Sequence, residues 1–400
     1  MTGVPERGAI ISGIGISRIG RRTGIPGLDL TAEASRQAIA DAGLRPEDID
    51  GVATLGDTPV KAACGVLGLA PTYLGGGIDT GGLLSPVMSA VQAVGSGQAR
   101  HVLVYRTVQM IGGAILPDGA APHLEGAGLD PAPGGDAAGP VFPARDGLAG
   151  GMAELMNAHA YSAANWLAMH CRRHMHLYGT TKEQLGALAV NSRRNAGLNP
   201  SAVFRTPITL DDYLSARLIS EPFGLLDCDV PIDGSIALVV STADHQTACD
   251  HPVQVEAMGG STGPGGWYLR ADYPRMASSD AAAELWSRTD LRPGDVDFAQ
   301  LYDGFTFLAL AWLEAFGFCG EGESGPFVAG PGRIALEGSF PINTYGGQLS
   351  AGRMHGYWIV HEACLQLRGQ AGERQLTRRE VAAVGAGGGP IAGALLLSAR

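Results

Sequence analysis

One pattern occurs twice in this chain, 247 residues apart: LRPEDIDGVATL from Leu44 and LRPGDVDFAQLY from Leu291. Each copy follows a helical stretch, residues 30–42 and 277–289, and leads into an apolar stretch with strand character. A strand-like segment precedes each helix: GAIISGIGIS over residues 8–17 and VQVEAMGG over residues 253–260. Strand, helix, turn and strand recurring in one order imply a duplicated unit. Their alternation implies an α/β fold of stacked sheets and helices.

The chain between the copies extends this pattern. Asp29 is placed to cap the first helix, whose apolar face is Leu30, Ala34, Ala38 and Ala42, and Gly43 stops it. Residues 78–107 read as a glycine turn, a helix of small residues and a strand at His101–Tyr105. Small residues on that helix predict a neighbouring backbone packed very close. Residues 111–152 carry little periodicity and read as a long loop, functional or mobile. Helical spacing returns from Met152 to Tyr178, and Thr181 with Gln184 forms a capping box for a helix ending near Gly197. Residues 219–243 read as a loop, a turn and a buried strand, with Asp227, Asp229 and Asp233 as turn formers. The chain ends as strand, glycine turn, strand.

Bulk composition excludes several classes. A net charge of −11 and a pI near 5.3 argue against nucleic-acid binding. No apolar run reaches the length of a membrane span, and the start has no signal-peptide pattern. Six scattered cysteines without a CxxC pair fit a reducing, cytoplasmic setting. Only Lys61 and Lys182 are available for Schiff-base chemistry, Lys61 in a turn-rich segment and Lys182 at a helix start. His170, Cys171, His174 and His176 share a helix, but no metal centre is assigned to them.

The chemistry-bearing stretches are LYDGFTFLALAWLEAFGF from Leu301 and NTYGGQLSAGRMHGYWIVHE from Asn343. The first reads as a strand end, a turn and an apolar helix with Phe305, Leu308, Trp312 and Phe316 at core spacing. The second reads as a glycine-rich loop feeding a helix. Reactive groups at such turns commonly build sites on α/β scaffolds.

With LLDCDVPIDGSIALVVS and VGAGGGPIAGALLL, these stretches resemble the thiolase superfamily. The resemblance runs from about residue 8 to the C-terminus. It is greatest toward the branch of sterol-carrier-protein-x thiolases and lipid-transfer-protein-type steroid side-chain aldolases. It implies duplicated βαβαβαββ halves in a five-layered αβαβα arrangement with an inserted loop domain. The halves would be residues 1–250, with the insertion at about 111–218, and residues 251–400.

The departures from the thiolase pattern are specific. The nucleophilic Cys position falls on Thr80, the active-site His positions on Tyr302 and Arg353, and the second Cys on Gly385 or Ala386. A Thr hydroxyl is scarcely ionised without a base, so acyl-enzyme thiolysis is disfavoured. Resemblance to the aldolases implies that tyrosines take over. Tyr302 lies in YDGF, with Tyr357 as the second group and Tyr345 as its rival. Tyr357 is assigned as base, with Arg353 and His355 favouring its phenolate, and Tyr302 as acid, kept protonated by Asp303. Oxyanion donors are expected around Thr80, Gly81, Gly387 and Gly388.

The implied reaction is retro-aldol cleavage of a 3-hydroxyacyl-CoA, with a steroid side chain as the leading substrate. It gives a ketone or aldehyde plus propionyl-CoA or acetyl-CoA. The alternatives are a thiolase-like acyltransferase and a non-catalytic acyl-CoA or lipid-binding scaffold. The resemblance further implies a homodimer and a small zinc-ribbon/OB-fold partner, with a hydratase as a further partner. Coenzyme A enters as the substrate thioester, this chain binds no cofactor, and any zinc belongs to the partner.

Overall fold

The computed structural model describes residues 4–56, 58–77, 82–110, 155, 157–263, 266–330 and 332–399. The long loop expected over 111–152, and the expectations for Thr80 and Gly81, lie outside the described residues.

In chain order the elements begin with β1 (Ala9–Ile16), α1 (Gly27–Asp41), β2 (Gly51–Thr54), α2 (Val60–Leu67), β3 (Tyr73–Gly75), α3 (Ser85–Gly95) and β4 (His101–Gln109). After the undescribed stretch come α4 (Ala163–Tyr178), α5 (Lys182–Gly197), α6 (Leu210–Leu214), β5 (Leu218–Ser220), β6 (Phe223–Gly224) and β7 (Asp233–Thr242). Then follow β8 (Val253–Ser261), α7 (Ala277–Ser287), β9 (Phe298–Leu301), α8 (Thr306–Ala315), α9 (Ser324–Ala329), α10 (Gly347–Ser350), α11 (Tyr357–Leu367), β10 (Val381–Gly388) and β11 (Ile391–Ala399).

The main sheet runs β3-β2-β4-β7-β1-β8-β11-β10-β9. From its centre outward the two halves match. β1 pairs β7 antiparallel, β7 pairs β4 antiparallel, and β4 pairs β2 parallel. Likewise β8 pairs β11 antiparallel, β11 pairs β10 antiparallel, and β10 pairs β9 parallel. The halves join where Ile10 and Ile11 of β1 pair with Gln254 and Val253 of β8.

The repeated turn explains part of this symmetry. Asp48 Oδ2 accepts the Arg45 amide at 2.8 Å, and Asp295 Oδ2 accepts the Arg292 amide at 2.8 Å. Both close a single 3-10 turn. The next Asp in each copy holds the incoming parallel strand. Asp50 accepts the His101 amide at the head of β4, and Asp297 accepts the Val381 amide at the head of β10. LRPxDxD is thus a turn cap followed by a strand clamp.

Helix packing follows the period-two alternation of buried strands. Leu103, Tyr105, Ala237 and Val239 pack with Ala34, Ala38 and Ile39 of α1 on the outer face. Val102, Val104, Leu238 and Val240 point the other way, into a core shared with Val87 and Val91 of α3 and Val360 and Cys364 of α11. Helix α7 covers β8 and β11 as α1 covers β1 and β7. The layers are therefore helix, sheet, the inner α3 and α11, sheet and helix. Glycine permits the closest approaches. A Cβ on Gly15 of β1 would fall 2.1 Å from the Ala34 carbonyl, and one on Gly259 of β8 would fall 2.0 Å from that of Ala281.

Several expectations need correction. Asp29 lies in the first turn of α1, and Pro26 occupies the cap position without a side-chain bond. Within the span expected to be helical from Met152, Leu155 and Asn157 are helical, residues 152–154 and 156 lie outside the described residues, and the helix that ends at Tyr178 begins at Ala163, where the Ser162 and Asn165 pair sets its first turn. Lys61 lies on α2 rather than in a turn. The capping box of Thr181 and Gln184, the end of α5 at Gly197, and the core role of Leu308, Trp312 and Phe316 are as expected. The close backbone expected beside α3 is the Pro5 carbonyl, 2.3 Å from where a Gly95 Cβ would lie.

Candidate active site

β9 ends between a side chain and a backbone carbonyl that fix its exit. The Leu301 amide donates to Asn343 Oδ1 at 2.7 Å, and the Tyr302 amide donates to the Gly385 carbonyl at 2.8 Å. Tyr302 and Asp303 leave the sheet at this point. Asp303 is fully buried, and its Oδ1 accepts the Gln348 amide at 2.8 Å. Its Oδ2 has no hydrogen-bond partner among the described residues. Gly347 makes room for that oxygen. It has φ +63°, and a Cβ there would fall 1.9 Å from Oδ2.

Asp229 arrives from a segment threaded between these turns. Its amide donates to the Gly304 carbonyl at 3.0 Å, Val230 donates to the Gln348 carbonyl, and Arg353 donates to the Val230 carbonyl. Its carboxylate lies 3.4 Å from Arg353 Nη1, with both side chains mostly buried. The electrostatics follow from burial. Asp303 is pushed up to about 7, chiefly by desolvation, with Asp229 adding to the rise and the Gln348 amide and the nearby Asn343 side chain opposing it. Asp229 is pushed up to about 6 by desolvation, which Arg353 only partly offsets. Tyr302 is raised above the ordinary phenol range by burial and then by Asp229, with Arg353 and Gln348 working against the rise.

The other predicted tyrosines are sealed in the core. Tyr345 is fully buried and stacks on Trp358 at 5.3 Å between ring centroids. Burial, then the charges of Asp303 and Glu362, holds its phenol well above the usual range. Asn199 Nδ2 donates to its carbonyl at 2.9 Å. Tyr357, also fully buried, is the first residue of α11.

Of the two groups expected to favour a Tyr357 phenolate, Arg353 has an acidic partner and His355 carries no charge. Arg353 pairs with Asp229 and acts on Tyr302. His355 is held well below the ordinary imidazole range by burial and by the neighbouring Arg106 and Arg353, so it is neutral. Its Nδ1 accepts a hydrogen bond from Arg106 Nη2 at 2.7 Å.

The glycine turn between β10 and β11 closes the floor. Gly387 and Gly388 have φ +87° and +151°, and the Gly387 carbonyl accepts the Trp312 indole at 3.0 Å. Gly82 abuts the Ile391–Ala392 backbone, and Gly356 abuts Leu83, Leu84 and Ala386. Gly82, the glycine turn and the head of α11 therefore meet.

Other polar residues have structural work. Asp227 forms a turn as expected, its Oδ2 accepting the Gly224 amide at 2.7 Å to close a single 3-10 turn. It is fully buried and takes hydrogen bonds from Lys182 Nζ, Tyr213 and Thr306, which ties up Lys182. Asp229 instead pairs with Arg353, and Asp233 is buried at the head of β7, accepting the Thr23 amide at 2.9 Å. His170 meets the Pro274 and Trp267 carbonyls, and His174 meets Thr180 and Glu314. Among the described residues, no group of three or more His, Cys, Asp or Glu side chains could hold a metal ion. No described helix is long and apolar enough to cross a membrane.

Sequence reasoning missed Arg106, Asp229 and Gln348 as members of this site. HGY and YDGF each drew attention to themselves, whereas Arg106 lies inside an apolar strand more than 190 residues from Tyr302, with no local motif.

These features describe a duplicated α/β enzyme whose tyrosine, carboxyl and arginine groups converge where two glycine loops meet. Comparisons with known proteins agree. Residues 268–397 match the family described as thiolase C-terminal domain-like. A steroid side-chain-cleaving aldolase of Thermomonospora curvata is 34% identical over 90% of this chain and 90% of its own. The 17-hydroxy-3-oxo-4-pregnene-20-carboxyl-CoA lyase of Mycobacterium tuberculosis is 34% identical over 90% and 92%. The solved structure named Ltp2-ChsH2(DUF35) aldolase matches with a TM-score of 0.86 and 32% identity, covering 99% of each chain. The chain belongs to the thiolase superfamily, in the branch of steroid side-chain aldolases related to sterol carrier protein 2 thiolase, and is a carbon–carbon lyase of that fold.

Proposed function

We propose that this lyase cleaves the Cα–Cβ bond of a 3-hydroxyacyl-CoA, with a steroid side chain as substrate. The observation that carries this reading is Tyr302, a buried phenol kept protonated between two carboxyls on a scaffold 34% identical to two such lyases. A base removes the β-hydroxyl proton and the Cα–Cβ bond breaks. The ketone or aldehyde leaves, and the bond's electron pair becomes the thioester enolate. The Tyr302 phenol then gives its proton to Cα, releasing propionyl-CoA or acetyl-CoA.

Tyr357 is the proposed base. Its place at the head of α11 supports this, because unpaired amides at a helix N-terminus favour an anion. Tyr345 fits less well, since burial and then the charges of Asp303 and Glu362 hold it protonated. Gly387 and Gly388 are proposed to line the oxyanion site with the Thr80–Gly81 segment. The chain is further proposed to act as a homodimer with a small zinc-ribbon/OB-fold subunit. The solved aldolase that matches along its whole length is named with ChsH2(DUF35).

The test is cleavage of a 17-hydroxy steroid C22-type acyl-CoA by the protein alone and with such a partner. Wild type should give ketosteroid and propionyl-CoA. Tyr302→Phe should lose about 10²–10⁴-fold in kcat. In pH–rate profiles, the limb lost in Tyr302→Phe should persist in Tyr357→Phe. Equal rates for wild type and Tyr302→Phe would remove Tyr302 from the chemistry.

A further inference from the structure

Arg106 and His355 form a pair for which the lyase reading supplies no role. Arg106 projects from β4 and is 4% exposed, and His355 is 8% exposed. A guanidinium has only donors and stays protonated in proteins. The 2.7 Å contact therefore makes Nδ1 of His355 the acceptor, so the neutral ring carries its proton on Nε2. Among the described residues Nε2 of this buried ring has no hydrogen-bond partner.

The backbone shows that this placement is specified. His355 has φ +48°, a left-handed conformation that non-glycine residues rarely adopt. Its amide donates to Gln348 Oε1 at 3.1 Å, and the Gln348 amide in turn holds Asp303. One glutamine thus ties His355 to the turn that carries Tyr302.

We propose that His355 Nε2–H is the hydrogen-bond donor to the thioester carbonyl oxygen, and that Arg106 is the positioning residue that fixes its tautomer. The identity of that oxygen rests on the lyase reading. As the Cα–Cβ bond breaks, negative charge develops on this oxygen, and a fixed neutral donor stabilises the enolate without surrendering its proton. The guanidinium behind Nδ1 makes Nε2–H a stronger donor and prevents the ring from turning the wrong nitrogen outward. The ligand class is an acyl thioester.

The test uses propionyl-CoA labelled with 13C at the carbonyl and infrared difference spectroscopy on the assembled enzyme. The bound carbonyl stretch should move to lower frequency in wild type and equally in Tyr302→Phe. His355→Asn keeps an acceptor for Arg106 and suits a left-handed backbone, but it has no donor where Nε2 sits. It should lose the shift, and kcat should fall by about 10²-fold or more. His355→Gln, which reaches that position with an amide, should recover part of both. Arg106→Gln should give a smaller shift, because both tautomers become accessible. A wild-type shift in His355→Asn, or no shift in any form, would overturn the proposal. A carbonyl shift without steroid cleavage by wild type would leave the donor standing and sink the lyase reading instead.

Discussion

At the scale of the residue, Asp303 is the most revealing group. One oxygen is satisfied, the other has no hydrogen-bond partner among the described residues, and burial raises its pKa from the ordinary carboxyl value to about 7. A carboxyl whose folded pKa is raised favours the folded state below its unfolded value near 4. That contribution is lost as pH rises through about 7. A rise of about 3 units corresponds to about 4 kcal/mol over the full window. Asp303→Asn removes the titration. Wild-type stability relative to this variant should therefore fall steadily from pH 4 to pH 8 in denaturant unfolding. A difference that does not change with pH would show that Asp303 titrates normally. YDGF was legible as a reactive turn because the tyrosine and aspartate are adjacent. The partners that set their protonation were not, because Asp229, Gln348 and Arg353 meet them only through tertiary contacts.

Among the elements, the loop of residues 343–356 is held from both sides. Asn195 and Asn199 of the α5 region grip the carbonyls of Asn343 and Tyr345. Beneath it, Glu362 accepts from Thr344 and Gln366 and pairs with Arg374 at 2.9 Å, all buried. A rigid support of this kind sets the tolerance for change at Gly347. Gly347→Ala meets an unfavourable φ and a carboxylate oxygen at 1.9 Å. It should cost about 2–4 kcal/mol and displace Tyr302 enough to lower kcat at least about tenfold. In the Asp303→Ala background the clash is gone, so the same glycine change should cost only about 1–2 kcal/mol. A double-mutant cycle measures the difference, and simple additivity would show that the carboxylate is not what demands the glycine. The sequence displayed this loop as glycine-rich. It did not display which glycine faces the carboxylate, because that follows from the register of α10 against β9.

For the whole molecule, duplication was the legible fact, and its cause is physical. The same aspartates cap the same turn and clamp the same neighbouring strand in both halves. Strand order within each half follows from that repeat, whereas the β1–β8 junction has no periodic signature and appears only in the fold. The junction and the inner helices make the halves depend on each other. Helix α11 packs on β1 and β7 as well as on β9 and β10, and one buried cluster runs from Val87 and Val91 through Val360 and Cys364 to Leu395. Gln254 Nε2 donates across the junction to the Ala9 carbonyl, and Glu6 pairs with Arg288. A half made alone would expose the inner faces of its sheet and helix, and unmade packing of that extent prevents a fixed tertiary structure. Residues 1–250 and 251–400 expressed separately should therefore show helical far-UV signal without near-UV signal, and should bind a hydrophobic dye. Mixed, they should regain a single cooperative transition and lose dye binding. A sharp transition from either fragment alone would mean that each half completes its own core, and that the inner helices bring two finished domains together rather than one.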